Sequence, residues 1–261
     1  MASRNLEVVL RGNLAEVRGR IAAAAARSGR RPDEVRLVVV TKSVGLEEIR
    51  ALVASGSTDL GENRPQQLWE RAQSLADLPI RWHFIGHLQR NKVRRTVPLV
   101  CCIHSVDSLR LAAAIDDAAL SPLPLGEAPA SGYPGVRAGP GVRVPRRIPI
   151  LIEVNVSGEA AKHGLAPEEV EPLVPRLAAL QNLEVRGLMC MAGLEGGLDA
   201  ARRQFAALCR LRDRLRENCP PGAAMDDLSM GMSGDFEAAV EEGATIVRIG
   251  SAIFEGLGIR D

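Results

Sequence analysis

The feature that most limits what this chain can fold into is an alternation. Short apolar, β-branched runs are separated by segments whose apolar residues recur at helical spacing. Eight runs read as strands: 35–41, 58–60, 82–85, 101–104, 148–154, 185–189, 227–229 and 245–249. Between most of them, segments 46–54, 65–75, 109–119, 167–180, 200–217 and 235–241 place apolar residues three to four apart, as a helix with one buried face requires. A helical crossover returns the chain to the end where the last strand began, so consecutive strands pair in parallel. Eight such units, preceded by a further helix over 5–27 that stops near Gly29, favour a closed (β/α)8 barrel over an open doubly wound sheet. The 261 residues suit one such barrel, so a single domain over 1–261 is expected.

One stretch breaks the alternation. Residues 121–147 (SPLPLGEAPASGYPGVRAGPGVRVPRR) hold many Pro and Gly, which sustain neither a helix nor a central strand. We read them as a mobile surface insertion between the fourth helix and the fifth strand. The formal net charge of +1 supplies no basic face for nucleic acid or an anionic membrane. The run around Arg90, Lys92, Arg94 and Arg95 reads as a solvated helix face. Aromatic residues are 3% of the chain, too few to build a stacking platform for single strands. No signal peptide or membrane-length apolar run is apparent, so the cytoplasm is the expected location. The five cysteines form no C-x-x-C pair and are odd in number, which fits buried structural thiols better than a disulfide framework.

Parallel barrels build their sites at the C-terminal strand ends, and the unusual polar residues cluster there. Lys42 follows strand one. Gly61, Glu62 and Asn63 follow strand two. Gly86, His87 and Gln89 follow strand three, and Ser105 follows strand four. Asn155 and Ser157 follow strand five, and Met191 follows strand six. Ser229 to Ser233 (SMGMS) follow strand seven, and Arg248, Gly250 and Ser251 close strand eight. Desolvation at the mouth of LVVVT would lower the pKa of Lys42 and free an amine able to attack an aldehyde. Taken alone, a lysine that snorkels to solvent is the commoner case. Ser233 and Gly234 would open a helix with Asp235 and Glu237 in its first turn. Gly250 and Ser251 would open a last short helix. Loops after strands seven and eight of barrels often bind phosphate, although ordinary capping explains the same residues. Arg248, inside TIVRI, needs a partner: the ring nitrogen of a heterocycle or, slightly favoured, a structural carboxylate. His83 and His87 would not share a helical face, so metal is not expected. His83 reads as a barrel-lining residue, and His104 and His163 offer no constellation.

Several segments together carry a resemblance. VVVTKSVG, DLGENRPQQL, WHFIGHLQRNK, HSVDS, LIEVNVSGEAAKHGL, VRGLMCMAG and LSMGMSGDFEAAVEEGATIVRIGSAIF are similar to the pyridoxal phosphate homeostasis protein family, in order from about residue 5 to 256. The resemblance implies a barrel like the N-terminal domain of alanine racemase. It implies pyridoxal 5′-phosphate (PLP) held as a Schiff base on Lys42, with Asn63 near the cofactor. Ser233, Gly250 and Ser251 would hold the phosphate. Arg248 would face the pyridine nitrogen, and Ser229 and Met230 would line the ring pocket. The implied role is to bind, buffer and deliver PLP. Other B6 vitamers and apo PLP enzymes would be the partners, without established catalysis. This chain departs from the pattern in its long insertion at 121–147 and in Glu255, where many members have glycine.

A PLP racemase needs acid–base groups on both faces of the cofactor. The one tyrosine, Tyr133, lies in the insertion, and the chain ends shortly after strand eight, where alanine racemases continue into a second domain. Permanently charged Arg248 would leave the ring nitrogen unprotonated and the ring a weak electron sink. The expectation is a monomeric carrier. A racemase or lyase completed by a partner, and a cofactor-free Schiff-base aldolase, are the alternatives.

Overall fold

The structure is a computed structural model that describes residues 2–120, 147–159, 162–193 and 195–258. The Pro/Gly-rich segment 121–146 and Tyr133 within it lie outside the described residues. The first helix, α1 (Ala2–Arg27), is followed by β1 (Arg36–Val40), α2 (Leu46–Ala54), β2 (Asp59–Glu62), α3 (Pro65–Ser74) and β3 (Arg81–Phe84). Then come α4 (Val93–Thr96), β4 (Cys102–Val106), α5 (Leu109–Ala119), β5 (Ile148–Glu153), α6 (Pro167–Ala178) and β6 (Leu183–Met189). The chain closes with α7 (Gly197–Glu217), β7 (Ala223–Ser229), α8 (Phe236–Glu241) and β8 (Ile246–Ile249). The strands form a closed barrel in sequence order, and β8 pairs in parallel with β1.

Strand alternation divides the side chains between two environments. Val39, Leu60, Trp82, Phe84, Ile103, Ile150, Leu188, Leu228 and Val247 point outward and pack with the helices in one large core. The inner face carries a much smaller apolar cluster of Val38, Cys101, Cys102, Leu151, Met189 and Ile246. Most of the apolar core therefore lies between barrel and helices, which leaves the axis open to polar side chains. Helix α1 buries Leu10, Leu14, Val17, Ile21, Ala24 and Ala25 along one face. It lies against α2 and α8, and Arg20 and Arg27 pair with Glu237 and Glu241, each at 2.6 Å.

Several boundaries differ from the sequence expectation. Glu62 and Ser105 lie inside β2 and β4 rather than after them. The basic run forms α4 flanked by single 3-10 turns at Arg90–Lys92 and Val97–Leu99. Helix α8 begins at Phe236, because the Asp235 carboxylate accepts the Met232 N–H at 2.6 Å and holds 232–235 as a turn. The segment after β8 is a set of turns, not a helix. Ile253 N–H donates to the Gly250 carbonyl at 2.9 Å, but the left-handed Gly256 and Gly258 interrupt any continuation. Among the described residues, no helix is long and apolar enough to cross a membrane.

Candidate functional site

The residues singled out after strands seven, eight, one and two come from four neighbouring strands, because the barrel closes β7–β8–β1–β2. Lys42 sits in a turn two residues beyond β1 and is exposed. The apolar strand that precedes it therefore does not bury this residue. The loop that carries Lys42 is nevertheless fixed. Arg71 of α3 donates to the carbonyls of Thr41, at 2.8 Å, and Val44. Its charge is met by Glu62, which also accepts from the Thr41 hydroxyl. Burial pushes the Glu62 carboxyl up, against the opposing pull of Arg71 and the Thr41 hydroxyl. Glu62 is thus a buried structural partner on the outer face of β2, not a rim ligand. Arg71 escaped the sequence reading, although Leu68, Arg71 and Leu75 at helical spacing mark it as a charge on an apolar face.

Arg248 is 4% exposed and points into the barrel. Its Nη1 donates to Ser229 Oγ at 2.6 Å and its Nη2 to the Cys190 carbonyl at 2.9 Å. The structural carboxylate favoured from sequence is not its hydrogen-bond partner; a hydroxyl and a carbonyl take that place. Burial lowers its pKa, while Cys190, Glu153 and Asp235 act in the opposite sense. Ser229 is fully buried beside it, but Met230, one residue on, faces the other way and belongs to the outer core.

The loops after β7 and β8 meet: Ala252 N–H reaches Ser233 Oγ at 3.5 Å. Gly231 makes this path practicable. Its φ of +94° is left-handed, and a Cβ there would lie 2.6 Å from Ala239 Cβ and 2.9 Å from Phe236 Cα. Gly250 lies against Val40 of β1, and Ser251 is exposed at the mouth. Asn13 of α1 donates to the carbonyls of Ile253 and Glu255, at 2.9 and 3.0 Å, and so ties down the last loop. The Glu255 side chain is exposed, so its departure from the family pattern leaves that anchor in place.

Asn63 has a buried Oδ1 without a hydrogen-bond partner. Its backbone is pressed against Gly86, where a Cβ would stand 2.1 Å from the Asn63 carbonyl oxygen. Ser105 Oγ donates to the Gly86 carbonyl at 2.5 Å and braces the same loop. Glu153, at the end of β5, is 4% exposed and its Oε2 has no partner. Burial raises its pKa to about 7, with Asp107 adding to the effect and Arg248 opposing it. Asn155 and Ser157 are spent on a local turn, in which Ser157 Oγ donates to Asn155 Oδ1 at 3.0 Å. Met191 and Gln89 are exposed.

The histidines are not isolated, which corrects the sequence expectation. His83 and His104 are fully buried with facing nitrogens 2.9 Å apart. Both lie on inward positions of neighbouring strands, a pairing that no local spacing reveals. His87 and His163 stack at 4.3 Å beside Asp107, and the donor atoms of these three lie within 4.8 Å of one another. All five cysteines are free. Cys101, Cys102 and Cys190 are buried, whereas Cys209 and Cys219 are partly exposed rather than buried as expected.

Residues 13–257 match the family described as alanine racemase, N-terminal domain. The pyridoxal phosphate homeostasis protein of Pseudomonas aeruginosa is 40% identical over 249 residues, covering 95% of each chain. The chain belongs to the pyridoxal phosphate homeostasis protein family. The homeostasis protein of Escherichia coli K12 is 34% identical over 95% of this chain and 96% of its own. PipY of Synechococcus elongatus, solved with PLP bound, is 30% identical with a TM-score of 0.75 and covers 94% of this chain and 99% of its own. This pyridoxal phosphate homeostasis family member thus shares both its barrel and its length with a protein known to hold the cofactor.

Proposed function

We propose that the chain binds PLP reversibly at the mouth of the barrel and serves as an intracellular carrier that buffers and delivers it. One observation carries the reading: Lys42, Asn63, Arg248 and the joined Ser233 and Ser251 loops come from four consecutive strand ends. On this reading they would supply an amine, a ring-nitrogen donor and a phosphate cradle at one end of the barrel.

The residues fit the group. The orphaned Asn63 Oδ1 is a buried acceptor in want of a donor. Arg248 is held by neutral acceptors, so its charge is not already consumed by an ion pair. When bound, PLP supplies an electrophilic aldehyde on a ring with a phosphate tail. Lys42 would hold the aldehyde carbon covalently. Arg248 would donate to the ring nitrogen and keep it unprotonated, since a guanidinium does not give up its hydrogen. Ser229 would support that end of the ring, and the Ser233, Gly250 and Ser251 segments would hold the phosphate with hydroxyls and backbone N–H groups. Met230 would act through the path of its loop, its side chain being committed to the core. The finer parts of the proposal are a monomer in the cytoplasm, exchange with other B6 vitamers, and hand-over to apo PLP enzymes.

The visible spectrum of purified protein given PLP tests the anchor. The wild-type protein should be yellow, and borohydride should fix a PLP adduct to Lys42. Lys42→Ala should be colourless and unmodified. A coloured Lys42→Ala protein, or an adduct on another lysine, sinks the assignment.

A further inference from the structure

The barrel axis carries a file of buried polar side chains of which the proposed site uses one end. Asp59 stands at the start of β2, on the side where the strands begin. His83 Nε2 lies 2.9 Å from Asp59 Oδ1, and His83 Nδ1 lies 2.9 Å from His104 Nε2. His104 Nδ1 lies 2.8 Å from Ser229 Oγ, which accepts from Arg248 at 2.6 Å. Five side chains from β2, β3, β4, β7 and β8 are thus joined end to end. Parallel barrels ordinarily fill their axis with Val, Ile and Leu. Two fully buried imidazoles in that place are costly unless every ring nitrogen is satisfied, and here all four are.

We propose that Asp59, His83 and His104 form a positioning relay that, through Ser229, fixes the Arg248 guanidinium at the ring-nitrogen end of the PLP pocket. The proposal rests on the PLP reading above. A serine hydroxyl is a rotor. It holds Arg248 in one plane only if something sets its lone pairs, and His104 does so. His104 in turn is set by His83, and His83 by Asp59.

The charges around the file assign the hydrogens. Burial opposes a charge on His83, but Cys101, Asp59 and Cys102 outweigh it and hold its pKa well above the ordinary histidine value. Burial, then the charges of His83, Arg248 and Arg36, hold His104 well below it. Burial would raise Asp59, yet His83, Arg81 and Arg36 keep it low. Asp227 of β7 is a further carboxylate felt at this end, through Cys102. On this proposal the proton resides on His83, whose two ring nitrogens then donate to Asp59 and to His104. Neutral His104 keeps its one hydrogen on Nδ1 and donates it to Ser229 Oγ. That oxygen then accepts from His104 and Arg248 together, and both are locked.

Two measurements test the relay. Imidazole 15N NMR on the cofactor-free protein at neutral pH should show one buried histidinium and one buried neutral ring with hydrogen on Nδ1. Asp59→Asn should lower the pH at which the histidinium gives up its proton, because one of the groups that hold it is removed, and leave the resonances of His87 and His163 in place. On the PLP-loaded protein, Asp59→Asn and His104→Gln should shift the absorption maximum and its pH profile. They should speed loss of PLP on dialysis about tenfold, the weight of one buried charge-assisted hydrogen bond, while the borohydride adduct still forms on Lys42. Asp59→Asn is nearly isosteric and lies at the opposite end of the barrel from Lys42, so it decides the matter if His104→Gln does not fold. Two neutral imidazoles in the wild-type protein, or an Asp59→Asn protein with unchanged spectrum and release, overturn the relay. If PLP binds neither form, the carrier reading fails separately, and the NMR result still judges the relay.

Discussion

Two carbonyl oxygens flanking Lys42 share one guanidinium, and that guanidinium is neutralised by one buried carboxylate. Such an arrangement is asymmetric in energy. Desolvation of Arg71 and Glu62 consumes most of their attraction, yet removal of either leaves a buried charge uncompensated. Arg71→Met should therefore destabilise the protein by about 3–5 kcal/mol in urea unfolding. The double variant Arg71→Met, Glu62→Gln should recover part of that loss, because no charge is then stranded. A single variant within about 0.5 kcal/mol of wild type would show that the pair does not hold the loop. The loop's apolar flank, LVVVT, was plain in the sequence. Its anchor was not, since Arg71 comes from the next helix but one and meets Thr41 only when α3 packs on β1 and β2.

At the scale of elements, α6 shows how packing overrides propensity. Pro172 and Pro175 lie inside the helix, where each removes a backbone N–H and crowds the preceding turn. Both are on the exposed face, while Val170, Leu173, Val174 and Leu177 are buried against the barrel. The Glu168 and Glu171 carbonyls that lose their partners are on exposed residues and can turn to water. The apolar stripe therefore settles the element, and it is legible at 167–180 despite the prolines. Pro172→Ala restores one hydrogen bond and should stabilise the protein by about 1–3 kcal/mol, seen as a rise of several degrees in thermal midpoint. A fall in midpoint would mean that the proline ring is itself a packing element. The short pieces were harder to read: α4 has too few residues to show a period, and the turns after β8 depend on Gly256 and Gly258 adopting positive φ.

For the molecule as a whole, burying charge at the mouth of the barrel should give stability a slope with pH. Glu153 has its pKa raised from 4.5 to about 7 in the folded chain, so the folded state holds this proton more tightly than the unfolded one. Its contribution is complete below pH 4.5 and is lost as pH rises through 7, a change of about 3 kcal/mol. Urea unfolding between pH 5 and 8.5 should show that decline in wild type and a flatter profile in Glu153→Gln. Parallel profiles would remove Glu153 as its source. By itself, the sequence determined the order of strands and helices, the closed barrel, and the strand ends at which the candidate site residues lie. Those follow from local periodicity, which each segment carries whatever its neighbours do. Tertiary structure alone decided that Met230 turns to the core, that Lys42 stands in solvent, and that His104 meets Ser229 across 125 residues of chain. Which strands become neighbours, and which face of each looks inward, is fixed only when the barrel closes and every buried polar atom must find its partner.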